Sequence, residues 1–177
     1  MPSVAELDAV SPVQAAEMLR SCCGASRWVS AMVARRPFGS LDAVLATAHA
    51  VWRTLTPADW QEAFRHHPRI GEKVSARPQT ERAQGWSARE QAGVRYADAA
   101  TREALAQMNR EYELHFGWTY IVNATGKSAE QMLTLARQRL TNSPEAELGV
   151  AAGEHEQIML HRLDKLLLDE RHGGIAP

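Results

Sequence analysis

Helix-start signals recur along this chain and constrain its fold more than any other feature. Ser11-Pro12-Val13-Gln14 sets a hydroxyl before a first-turn proline and a glutamine able to reach back to the cap. Ser40-Leu41-Asp42 opens a segment to Leu55 in which Leu41, Val44, Leu45, Ala48, Trp52 and Leu55 share one helical face. Thr56-Pro57-Ala58-Asp59 predicts a capped helix running to Arg65, and Ser87 with Glu90 three residues on predicts another start. A helix over Thr101 to Phe116 stops at Gly117, a residue suited to a left-handed C-terminal cap. Two more helices are expected over Ser128 to Thr141 and Pro144 to Arg171. The segment Trp118-Thr119-Tyr120-Ile121-Val122 is aromatic and β-branched but too short for a sheet, and reads as an extended buried link. From Pro68 to Gly85 periodicity is lost, and the span reads as a loop of the length that often carries function. The expectation is an all-α single domain over residues 1–177, a helical bundle of about seven to eight helices.

The composition agrees and removes several functions. Aromatic residues make up only 6% of the chain, which favours helix over sheet. A net charge of -1 leaves no electrostatic footprint for nucleic acid or an anionic membrane. No apolar run is long enough for a bilayer, the N-terminus lacks the pattern of a secretory signal, and GGIAP matches no lipidation or retention tail. The only cysteines, Cys22 and Cys23, are neighbours and offer no disulfide framework, so a reducing, cytoplasmic location is expected.

Several motifs are decoys. Gly126-Lys127-Ser128 resembles the end of a phosphate-binding loop, but the glycine required five residues earlier is Ile121. Asn123-Ala124-Thr125 is a glycosylation sequon without a secretion signal. The histidines and cysteines form no HExxH or CxxC, His155 and His161 are six apart, and there is no nucleophile elbow. No metal and no cofactor is therefore expected, and any chemistry falls to acid–base and hydrogen-bonding groups.

The informative residues are polar ones on apolar faces. Leu105, Asn109, Tyr112 and Phe116 form one stripe, so Asn109 points inward, where a bond to loop backbone would satisfy it. Arg162 lies between Ile158 and Leu166 on the inner face of the last helix. It is either half of an ion pair with an acid on another helix or a clamp for an anionic ligand. Ser87, Glu90 and Gln91 read as a capping box, or as a helix N-terminus open to an anion. In His66-His67-Pro68 the proline disfavours helical geometry at His67, so His66 finishes the helix and His67 begins a stiff loop. A histidine there complements the helix dipole, or is held for proton transfer.

These pieces occur in a familiar order: His67-Pro68 with Ile70-Gly71, then Ser87-x-x-Glu90-Gln91, then Asn109-x-x-Tyr112-x-x-x-Phe116-Gly117, then Arg162-Leu163. The ordered set closely resembles the 2-oxo-4-hydroxy-4-carboxy-5-ureidoimidazoline (OHCU) decarboxylase family of uric acid degradation, over nearly the whole chain. Glu72 stands where many members have a second glycine, and Trp118-Thr119-Tyr120 replaces a more usual pattern with Phe and Pro. The resemblance implies a cofactor-independent, all-helical carbon–carbon lyase that makes (S)-allantoin from a small ureidoimidazoline. It implies His67 as general acid/base with Glu90 orienting it or sharing its proton. Arg162 would bind an anionic or carbonyl group, Ser87 and Gln91 the ureido and ring edges, and backbone of Pro68 and near Ile121 would complete the frame. Family members often form dimers, so a homodimer is expected on the same ground. Two other readings stay open: another enzyme of ureide or purine breakdown on the same scaffold, and a non-catalytic helical interaction module.

Overall fold

Hydroxyl caps sit where the spacing predicts them in the computed structural model, which describes residues 2–71 and 80–167. Within these residues nine α-helices follow one another: α1 (Val4–Ala9), α2 (Pro12–Arg20), α3 (Ser26–Val33), α4 (Leu41–Trp52), α5 (Pro57–Arg65), α6 (Glu81–Glu90), α7 (Ala99–Phe116), α8 (Ala129–Arg139) and α9 (Pro144–Leu167). A 3-10 turn, Ala92–Tyr96, joins α6 to α7, and the described residues contain no strand. Capping boxes start α2 at Ser11 and Gln14, α5 at Thr56 and Asp59, and α8 at Ser128 and Gln131. Gly117 ends α7 at φ 83°, a conformation glycine adopts without a Cβ clash. The helix count exceeds the expectation because α1 and α3 carry weak signals. α1 is only six residues long, and α3 has Ala25 at its N-cap with no side-chain hydrogen bond.

The expected start at Ser87 is not a start. Helix α6 begins under Thr80, whose hydroxyl accepts from the Ala83 N–H, and Ser87 and Glu90 fall in its last turns. Gly85, the expected end of the loop, lies mid-helix. The expected loop thus gives up residues 81–85 to α6, while 72–79 lie outside the described residues. A four-residue capping pattern is short enough to arise within a helix, and here the Ser87 hydroxyl accepts from Arg162. The idea of an anion-binding helix N-terminus at Ser87–Gln91 falls with it, since this is a C-terminal end with Gln91 as the cap.

Two apolar clusters make the core. One gathers residues of α1 to α5 against α9, with Trp28, Trp52, Phe64, Met159 and Leu163 deep inside. The other is built from α7, α8 and the 3-10 turn, around Leu105, Met108, Tyr112 and Met132. The segment after Gly117 runs between them without regular structure, as an extended buried link. Its side chains alternate: Ile121 belongs to the first cluster, Tyr120 and Val122 to the second. That is the two-residue period of extended backbone.

Polar groups hold the link in place. Arg139 of α8 donates from Nη1 to the Ile121 carbonyl at 2.8 Å and from Nε to Glu147 of α9 at 2.7 Å. Its guanidinium lies 4.8 Å from the Tyr120 ring centroid. Tyr112, whose phenol pKa burial pushes up, donates its hydroxyl to the same Glu147. Glu147 is fully buried, so truncating it strands a buried cation. Glu147→Ala is expected to lower the unfolding free energy by about 3–5 kcal/mol, read as a drop in urea midpoint at unchanged slope.

Candidate functional site

Helix α5 ends at Arg65, and His66 caps it at φ -88° and ψ 3°. The imidazole of His66 packs against Gly24 so closely that a Cβ there would collide with it. His67 is the first residue beyond the helix, tied back by its N–H to the Phe64 carbonyl at 3.0 Å and followed by Pro68. Its side chain is buried. The adjacent histidines therefore divide as the proline predicts, one a terminus residue and one at the head of a loop.

That loop is clamped from two sides. Asn109 of α7 donates from Nδ2 to the Ile70 carbonyl at 2.9 Å, the bond to loop backbone expected of an inward asparagine. Gly71, at φ 84°, donates its N–H to the Gln91 side-chain oxygen at 2.9 Å. Arg69 forms a two-pronged pair with Glu113 of α7 at 3.0 and 2.7 Å, which gives this residue a structural role.

Arg162 points inward from α9 and is buried. Its Nε and Nη2 reach the two oxygens of Glu90 at 3.2 and 2.8 Å, and Nη2 also donates to the Ser87 hydroxyl at 2.9 Å. The acid on another helix is thus Glu90, the residue expected to serve His67. Lys165, one turn further along α9, approaches the same carboxylate at 3.5 Å. Burial works to raise the Glu90 pKa, but the hydrogen bonds and charges of Arg162 and then Lys165 outweigh it and hold the carboxyl below its usual value of 4.5. The hydrogen bonds of Arg162 use Nε and Nη2, and Nη1 has no protein partner among the described residues.

The seven site residues that the family resemblance implies line one small cavity: His67, Pro68, Ser87, Glu90, Gln91, Ile121 and Arg162, joined by Ile70, Tyr120, Val122, Ala124 and Ile158. Its volume of about 20 Å³ has room for about one water. His67 and Arg162 also line a larger cavity of about 330 Å³ with Ser21, Cys22, Cys23, Gly24, His66 and Thr80. That is the size of a small-molecule site. The two cysteines in its wall are unbridged, and burial pushes the Cys23 thiol up to about 12 and Cys22 higher still. They line the wall as thiols rather than as nucleophilic thiolates. No cluster of His, Cys, Asp or Glu suited to a metal occurs among the described residues. The 330 Å³ cavity was invisible to sequence reasoning, because α2 and the turn after it reach the site only through tertiary packing. So was His155, whose ring packs against that of His67, although its three- and seven-residue spacing to Ile158 and Arg162 put it on the same stripe of α9.

The Glu90–Arg162 pair makes a prediction about acid stability. A carboxyl depressed on folding contributes stability that is fully present above its unfolded pKa and lost as pH falls through the folded one. From pH 4.5 downward the urea midpoint of the wild type is expected to fall toward that of Glu90→Gln, which has no carboxyl to titrate there. Two curves that stay parallel into acid would contradict the depressed pKa.

Comparison with known proteins gives a concordant result. The OHCU decarboxylase family model matches residues 8–164. Over 150 residues the chain is 31% identical to the uric acid degradation bifunctional protein TTL of Arabidopsis thaliana, covering 84% of this chain and 46% of that protein. It therefore spans about half the length of this plant relative. It is 27% identical to the 2-oxo-4-hydroxy-4-carboxy-5-ureidoimidazoline decarboxylase of Mus musculus, covering 82% of this chain and 81% of the mouse protein. The crystal structure of an OHCU decarboxylase in the presence of (S)-allantoin superposes with a TM-score of 0.73 at 30% identity, covering 85% of this chain and 96% of that one. With the family model matched from before α2 to the last turn of α9, the chain belongs to the OHCU decarboxylase family.

Proposed function

We propose that this protein decarboxylates OHCU to (S)-allantoin, with His67 as the general acid/base. The observation that carries the reading is the convergence of His67 and Arg162, with the other sequence-selected residues, on one cavity in a chain of this family.

The chemistry suits such a site. The substrate has a carboxylate and a hydroxyl on one ring carbon, beside a C=N carbon that bears the ureido group. As the carbon–carboxylate bond breaks, CO2 leaves and its electron pair forms a carbon–carbon double bond, while the C=N pair moves onto nitrogen and is protonated there. The substrate contains its own electron sink. Proton transfer to the ureido-bearing carbon from one face, with loss of the hydroxyl proton, turns the neighbouring carbon into the carbonyl of (S)-allantoin. The protein's tasks are orientation, charge placement and one-sided proton delivery.

Each residue has a position fit for such a task. His67 is held at its backbone by Phe64 and Pro68, and imidazole is the side chain most often used in general acid–base catalysis. The Nη1 edge of Arg162 takes a carboxylate or carbonyl oxygen. Glu90 keeps that guanidinium in place, so it serves His67 through the charge balance of the site. Gln91 has its oxygen engaged by Gly71 and keeps its amide nitrogen as a donor for the ureido or ring edge. The Ile121 carbonyl is taken by Arg139, which leaves the backbone around it as the cavity wall. The ring of the substrate fits the larger cavity, with its reacting edge toward His67 and Arg162.

The test is to give purified protein freshly generated OHCU and follow the optical activity of the product. His67→Ala is expected to cut turnover by about 10²–10⁴-fold while the protein stays folded. A wild-type rate in that variant overturns the role of His67, and no OHCU turnover by the wild type overturns the substrate. A non-catalytic interaction module predicts the second result.

A further inference from the structure

The chemistry above gives His155 no task, yet the fold places it against His67. Its side chain is fully buried on α9, on the stripe that continues to Ile158 and Arg162. On one side the ring stacks on Trp52 of α4, with centroids 4.6 Å apart and planes within 9°. Trp52 is itself fixed by its Nε1–H, which donates to the Ala152 carbonyl at 3.2 Å. Phe64 of α5 leans on His155 at 6.0 Å. The ring of His67 meets His155 almost at right angles, with centroids 4.9 Å apart and an interplanar angle of 76°. This is an edge-to-face arrangement that aromatic quadrupoles favour.

We propose that the ring of His155 is a positioning residue for His67, setting the plane of the His67 imidazole so that one ring nitrogen is presented to substrate. The proposal rests on His67 being the acid/base. The backbone of His67 is fixed by its bond to Phe64 and by Pro68, and its ring is met edge-on by that of His155. The outer torsion of histidine is broad and nearly two-fold, and turning the ring over exchanges its two unequal nitrogens. A flat ring locked by Trp52 supplies an orienting surface that an aliphatic side chain lacks. Among the described residues neither nitrogen of His155 has a hydrogen-bond partner, so what it offers His67 is its ring rather than a proton. Burial, then Arg162 and His66, pull its pKa down to about 3, so it sets no second positive charge beside His67 near neutral pH.

The test compares His155→Phe, His155→Leu and His67→Ala on freshly generated OHCU, with thermal melts and nitrogen NMR of the His67 ring. Loss of the ring in His155→Leu is expected to lower kcat about tenfold to a hundredfold with KM little changed, the signature of a misplaced catalytic group. It should also shift the balance of His67 tautomers. His155→Phe keeps a ring without nitrogens and should hold kcat and the His67 resonances near wild type. A Leu variant that only melts lower, with kcat and the His67 signals intact, overturns the proposal in favour of plain packing. A Phe variant as damaged as Leu overturns it too, because the nitrogens would then matter. If Leu does not fold, Phe decides alone: a near-wild-type kcat and unchanged His67 signals uphold the proposal, and a loss refutes it. Activity retained in His67→Ala removes the acid/base reading and this inference together, whereas activity lost there but kept in His155→Leu removes only the inference.

Discussion

One guanidinium, that of Arg162, organises this site. A cation buried on the inner face of α9 requires a partner, and the partner comes from the far end of α6. Glu90 and Ser87 lie one turn apart, three residues along the helix, so both can meet the same fork. The pairing fixes where α6 ends against α9, and the next residue, Gln91, then stands where it can hold Gly71. Asn109 holds Ile70 from the opposite side. The short stretch from His67 to Gly71 is thereby placed by three helices, none of which is its neighbour in sequence on both sides. Glu90 contributes to this architecture, because both of its oxygens are committed to the guanidinium.

A second buried cation performs a comparable service for the link. Extended backbone outside a sheet leaves its N–H and carbonyl groups in need of partners. Arg139 takes the Ile121 carbonyl, and Glu154 accepts from the Asn123 N–H at 2.6 Å. The link can therefore run through the interior between two apolar clusters, offering Ile121 to one and Tyr120 and Val122 to the other. It forms one wall of the cavity that His67 and Arg162 share.

Much of the local structure was legible in advance. The hydroxyl caps at Ser11, Ser40, Thr56 and Ser128, the glycine end of α7 and the break after His66 each depend on a few adjacent residues, and all are present. The inward directions of Asn109 and Arg162 followed from helical periodicity alone. The Ser87 start failed because a local pattern was asked to decide a question that tertiary contacts decide. Ser-x-x-Glu is the same four residues in a first turn or a last one, and the Thr80 cap and the pull of Arg162 settle which. His155 went unread because an isolated buried histidine looks like any other core residue until its neighbours are known.

The sequence by itself determined where the chain turns into helix, which faces are apolar, and that a stiffened histidine, a carboxylate and an inward arginine are present in the order seen in the OHCU decarboxylase family. These depend on spacing, and spacing is written in the chain. Only the tertiary structure decided that Glu90 pairs with Arg162, that the turn bearing Cys22 and Cys23 supplies a cavity wall, and that His155 stands between Trp52 and His67. Each of these joins residues far apart along the chain, and such pairings are chosen by packing and by the need of buried charge for a partner.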